Sequence, residues 1–241
     1  MKHKKSSKLI SLLTLVVILL AASGCSSRPK VGALQSETQT VELGGAESVR
    51  VEIDFGAGQL EVTGEAEKLM EADFTYNVAE LKPEVEFANG TLAVQHPDVR
   101  GYRTPQDIKD FRNEWDLRLR DGVPMDLSAT MGAGTSDLQL AGLALTGLDI
   151  EIGAGTSTID LTGDWASDLD AVIETGATDV TLRLPKDVGV RVQVESGPTA
   201  VTAPGFLQDG TVYTNAAYGS ADANLRITIR AGIGLIKLEL E

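Results

Sequence analysis

Beyond residue 48 the chain alternates apolar and polar residues with a period of two, in short runs that repeat. Val49, Val51, Ile53 and Phe55 form one such run, and Met125, Leu127, Ala129 and Met131 another. Leu148 to Ile152, Leu169 to Ile173, Val188 to Val194 and Leu225 to Ile229 follow the same rule. This period marks strands with one buried face. Each run ends in a small-residue stretch: Gly56-Ala57-Gly58, Gly132-Ala133-Gly134, Gly153-Ala154-Gly155, Gly176-Ala177, Ser196-Gly197-Pro198 and Gly232-Ile233-Gly234. A second alternating run then resumes, as in Leu60 and Val62 or in Val180, Leu182 and Leu184, and Gly142 and Gly163 close two of the copies. From Gly132 the glycine stretches recur after 21, 23 and 21 residues. A fixed period of this size is the signature of a solenoid, with the glycines as corners where a side chain would obstruct the backbone. Ile236, Leu238 and Leu240 alternate with Lys237, Glu239 and Glu241 in the last strand, where charges guard a terminal edge against pairing.

Further strands are expected at Thr40–Leu43, Met70–Val78, Pro83–Phe87 and Leu92–Gln95, with Asn89-Gly90 as a hairpin turn. One helical signal stands among them: Thr104 as cap, Pro105 at the first helical position, Asp107 in the first turn, then Ile108 and Phe111 on one face, with Trp115 either extending that face or alternating with Leu117 and Leu119 as a strand. The pattern predicts an all-β protein, a stacked repeat or single-stranded β-solenoid-like sheet. One short helix near residues 105–112 would lie over an end or flank of the stack. The expected organisation is a leader over 1–24, a tether over 25–38, an N-terminal β region over 39–128, and repeats over 129–241 with an insertion at 206–224.

The leader combines Lys2, Lys4, Lys5 and Lys8 with an apolar run from Leu9 to Ala22, which reads as an export signal. Cys25, the single cysteine, follows Ala22-Ser23-Gly24. That arrangement resembles the lipobox of bacterial lipoproteins, although Ala22 stands where the motif more often has Leu. The resemblance implies that Cys25 receives the lipid and becomes the mature N-terminus. Localisation would then be extracytoplasmic, on the outer face of the bacterial cytoplasmic membrane. The whole chain carries a net charge of −14, from 21 Lys and Arg against 35 Asp and Glu. Removing the leader takes away four lysines and no acid, which leaves about −18. A body this acidic has no electrostatic footprint for nucleic acid or an anionic bilayer, so membrane contact is expected through the lipid alone.

Little catalytic chemistry is on offer. The glycine corners lack the third glycine and following helix of a dinucleotide fingerprint, so they read as structural. His96 is the one histidine past the leader and reads as structural or solvated. Thr135-Ser136 and Thr156-Ser157 read as polar turn residues rather than nucleophiles. Asp137, Asp160 and Asp179 recur near the corners and could line one acidic edge, offering oxygen ligands to Ca²⁺ or an acid and base for polysaccharide cleavage. A solvated acidic surface is the simpler reading, and no cofactor is expected. The insertion carries Phe206, Tyr213, Asn215 and Tyr218. These are a candidate binding surface, since tyrosines suit interfaces, or else a plug over the last coil.

The run Asn113-Glu-Trp115 through Pro124-Met-Asp-Leu127, followed by the Gly-Ala-Gly copies, Thr175-Gly176-Ala177 and Leu184-Pro185, resembles the toast-rack family of bacterial envelope proteins. That family is similar to the C-terminal domains of LiaF-like cell-wall stress-response proteins and to adhesin-type domains. The resemblance spans about residues 40–241 and implies a stacked β architecture, with no established catalytic residues to carry over. The expected function is a non-enzymatic, lipid-anchored interaction or scaffolding module that meets an envelope protein or cell-wall polymer, with cell-envelope stress response as one setting. The alternative is a carbohydrate- or surface-binding adhesin-type module.

Overall fold

The computed structural model describes residues 30–97 and 108–241. In chain order the strands are β1 (Gln35–Val41), β2 (Val49–Thr63), β3 (Met70–Tyr76), β4 (Glu84–Ala88), β5 (Thr91–Gln95), β6 (Asn113–Leu119) and β7 (Met125–Gln139). They continue as β8 (Leu145–Asp160), β9 (Leu169–Leu184), β10 (Gly189–Ser196), β11 (Thr199–Thr202), β12 (Leu207–Asp209), β13 (Val212–Thr214) and β14 (Asn224–Leu240). The all-β expectation holds. The helix near 105–112 is, in its described part, a single 3-10 turn at Ile108–Asp110. Thr104, Pro105 and Asp107 lie outside the described residues. Trp115 belongs to β6 instead, because the alternation of Trp115, Leu117 and Leu119 turns all three inward.

Parallel neighbours β7 and β8 are joined by only five residues, 140–144. A straight 15-residue strand would end roughly 45 to 50 Å from its start, whereas five residues reach at most about 20 Å. The strand therefore doubles back within its own length. Its burial pattern locates the bend: Met125, Leu127, Ala129 and Met131 point inward, then Ser136 and Leu138 do, so the inward phase changes across Gly132-Ala133-Gly134. Both arms thereby face one core, which extends through the structure from Val49 to Leu238. Five of the six expected corners are thus bends inside one long strand, and these strands lie parallel in the order β2, β7, β8, β9, β14; the corner at Ser196-Gly197-Pro198 instead separates β10 from β11.

Close approach explains the residue type at the bends. Gly155 has φ of 135°, and a Cβ there would run into the carbonyl oxygen of Gly134 in the adjacent strand. Gly153 stands in the same relation to Gly132. The backbones stack at the bend with no room for a side chain between them.

Three expectations are corrected. The last strand is not a free edge along its length: the first arm of β14 inserts between β9 and β10, with Ile227 paired to Ala171 on one side and to Val192 on the other, and its second arm lies between β9 and, as far as Lys237, β11. Its charges serve cross-strand pairs, Arg226 to Asp168 and Asp170 at 2.8 Å each, and Arg230 to Glu174. Residues 35–38 of the expected tether are in β1, antiparallel to β3, because Ser36 to Thr40 alternate along a ladder; residues 25–29 lie outside the described chain. The boundary at 128/129 falls inside β7, and one sheet and one core cross it. As the Gly56-Ala57-Gly58 copy predicts, β2 is a full bent strand, at which the two arms part company: β5 pairs with Arg50–Asp54 and β6 with Gln59–Thr63.

The bend geometry predicts a contrast between two glycine-to-alanine changes. Gly155→Ala meets both positive φ and a neighbouring carbonyl and should cost on the order of 3 kcal/mol. Gly142→Ala would meet only Asp121 Oδ1 at 3.6 Å, an ordinary contact, and should stay within about 1 kcal/mol. Urea denaturation of both variants checks this; equal losses would refute the close-packed bend.

Candidate functional site

The frame absorbs most of the side chains that suggested chemistry. Ser136 and Ser157 are not turn residues but inward-facing and buried, and the Ser136 hydroxyl donates to Ser157 Oγ at 2.8 Å. The pair satisfies two polar groups that would otherwise be desolvated alone, and it removes both serines from the surface, leaving Thr135 and Thr156 exposed.

The three aspartates do not form one edge. All lie on the outer face of the second arm, but in three different rows of the ladder: Asp137 beside Thr158, Asp160 beside Gln139, and Asp179 beside Thr156. Asp160 accepts from the Thr162 hydroxyl at 2.6 Å and lies 3.7 Å from Arg183, while Asp179 accepts the Leu235 N–H at 2.9 Å. Among the described residues no group of three or more His, Cys, Asp or Glu side chains is placed to hold a metal ion.

A different acidic row does form. Register places Asp73, Asp116, Glu61 and Asp137 side by side on β3, β6, β2 and β7. All four are exposed, and they line a shallow groove of about 470 Å³. Asp73 bonds to Thr38 and Arg118, whereas no cation pairs with the other three among the described residues. Like charges on adjacent strands repel, so this face discourages anionic polymers. Only Asp137 was singled out from sequence, because the register of β3 and β6 on β2 is a long-range property.

The insertion sends Tyr213 and Asn215 into the interior, while residues 207–211 lie exposed. Asn215 is 4% exposed; its Oδ1 accepts the Val190 N–H at 2.9 Å and its Nδ2 donates to the Val188 carbonyl at 2.7 Å. Tyr213 is buried on β13, which pairs with β10, and Phe206 packs against the core. Asn215 and Tyr213 are therefore fastenings of the last coil and unavailable to a partner; Tyr218 remains half-exposed. Cys25 lies outside the described residues.

His96 and Asn113 hold a position that sequence reasoning missed. At the β2 bend no further bent strand follows, so the backbone needs other partners. His96 Nδ1 accepts the Gly56 N–H at 3.0 Å, and Asn113 Nδ2 donates to the Ala57 carbonyl at 2.7 Å. The His96 ring lies 4.6 Å from that of Trp115 and 5.6 Å from that of Phe55. Burial lowers its pKa from the usual value; Asn113 and the charge of Asp54 oppose this. Protonation would place a second N–H at Nδ1, facing the Gly56 donor.

The sign of the pH effect follows. Folding lowers the imidazole pKa below its unfolded value of about 6.5, so the unfolded chain takes the proton first. The stability contributed by neutral His96 is complete above about pH 6.5 and is lost as pH falls below it. Urea midpoints between pH 7.5 and 5 should show the advantage of the native chain over His96→Gln shrinking towards acid. A constant difference would remove His96 as the cause.

Residues 30–183 match the family described as the N-terminal domain of toast_rack, DUF2154. Among solved structures, a protein of Clostridium sporogenes described as a "putative cell adhesion protein" is 30% identical, with 87% of this chain and 100% of that chain covered and a TM-score of 0.81. An adhesin candidate of Bacteroides fragilis is 11% identical over 86% of this chain and 97% of its own, at a TM-score of 0.32. No curated protein matches.

Proposed function

Because the chain belongs to the toast-rack family, we propose that it is a non-catalytic binding module, carried outside the cytoplasm on a lipid at Cys25. One observation carries the non-catalytic part: apart from Asp137 in the acidic row, the side chains that suggested catalysis are spent on the frame. Ser136 and Ser157 bond to each other, His96 holds a bend, and Asp160 and Asp179 fasten loop and strand backbone. What remains is outer surface on a scaffold whose strands are fixed by their neighbours on both sides. Such a surface is suited to holding a partner.

The basic leader, its apolar run and Ala22-Ser23-Gly24-Cys25 support the anchor. Diacyl attachment suits a body whose acidic faces gain nothing from an anionic bilayer. The first strand, β1, begins at Gln35, ten residues beyond Cys25, which span at most about 35 Å, so the module would stand close to the membrane. An envelope protein or a cell-wall polymer is the partner in reach there, and cell-envelope stress response is the setting that the family likeness suggests. A second reading, adhesion to an external surface, is favoured by the 30% identity to the Clostridium sporogenes protein.

Two measurements separate these readings. Cys25→Ser should move the protein out of the membrane fraction; a variant that stays there would contradict the lipid anchor. Cross-linking in intact membranes should capture an envelope protein if the module works at its own membrane. Retention on purified cell wall without such capture would favour the adhesin-type reading.

A further inference from the structure

The coils are not all alike. The turn between β7 and β8 takes five residues, 140–144, and that between β8 and β9 takes eight, 161–168. This is where the 21-residue spacing becomes 23, and the longer turn carries Asp164 and Trp165. In repeat proteins, insertions into single repeats fall on loops of one face, often the binding face.

Side by side, the two turns enclose a groove of about 490 Å³, within the range of small-ligand sites. Trp165 is fixed there: its indole N–H donates to the Leu161 carbonyl at 3.0 Å and part of its ring packs on the core, yet the side chain stays half-exposed. Small residues such as Ala141, Gly142 and Ala144 keep the opposite wall low, and exposed Thr146, Asp164 and Ser167 supply polar groups at the rim.

We propose that this groove binds a neutral saccharide chain, with Trp165 as the stacking platform and Asp164 as a hydrogen-bond acceptor for sugar hydroxyls. A pyranose has an apolar C–H face and a rim of hydroxyls, which matches an immobilised indole with a carboxylate and hydroxyls around it. The only charge in the lining is that of Asp164, and the body is strongly acidic. Anionic glycans are therefore repelled. Extended peptides find no strand edge to lengthen, because the groove crosses turns.

The proposal rests on the reading of the chain as a binding module and names that module's ligand class. Calorimetric titration of the full chain in detergent with N-acetylglucosamine and glucose tetramers, and with an oligogalacturonate as the anionic control, tests it. Saturable binding of a neutral tetramer is expected, weakened at least 10-fold by Trp165→Ala and several-fold by Asp164→Asn. Asp164 is exposed, so Asp164→Asn keeps the test valid even if Trp165→Ala unfolds. Absence of binding by every neutral tetramer, preference for the anionic one, or binding unchanged in both variants would overturn the groove assignment. Capture of a membrane partner would still stand in those cases. Shortening of the tetramers by the protein would instead contradict the non-catalytic reading.

Discussion

Backbone contact at the bends is the constraint on which the molecule depends. Where β2, β7, β8 and β9 fold over, the carbonyl of Gly56 faces Gly132, that of Gly132 faces Gly153, and that of Gly153 faces Gly176, each occupying the space a side chain would need. The bend lets one strand present two successive inward faces to one core. It also brings the strand's end back to where the next can start. Without it, connections as short as residues 140–144 could not join parallel neighbours. The apolar alternation supplies the burial that holds the arms together, but the glycines decide that the arms share a core.

A frame of this kind must be closed at both ends, and each end uses its own device. At β2, Asn113 and His96 supply by side chain the hydrogen bonds that a further bent strand would have given. At the other end β14 slides between β9 and β10, and the hairpin of β12 and β13 covers β10 with Asn215 tied to the carbonyls of Pro185, Lys186 and Val188 in the loop before it. Buried polar side chains such as Asn113, Ser136, Ser157 and Asn215 are thus gathered at the ends and bends as fastenings. The outer faces and the irregular turn around Trp165 are left to meet a partner.

Much of this was legible in the sequence. The inward phase of each arm and the place of each bend follow from Val49 to Phe55, Met125 to Met131 and the glycines between arms, because period and breaker are local signals. The position of β14 was not, since the copies beginning at Leu169, Val188 and Leu225 share one pattern and nothing local says which two flank the third. Asn215 and Tyr213 fit the plug over the last coil rather than the binding surface, because an end coil needs buried hydrogen-bonding groups; polarity and aromatic character alone suggest either. The scattering of the aspartates was countable: Asp137 falls three residues beyond Gly134, Asp160 five beyond Gly155, and Asp179 one beyond Thr178, which pairs with Gly155. The 23-residue spacing was likewise the visible trace of the turn that bears Trp165.

Hydrogen exchange resolved to single amides tests the central claim most directly. If the bends are stacked parts of continuous strands, amides at Ala133, Ala154 and Ala177 should be protected as strongly as those of the flanking arms and should open together with them. Fast exchange at those three positions, with protection confined to the arms, would mean that the glycines are loop corners and that the frame is held by its core alone.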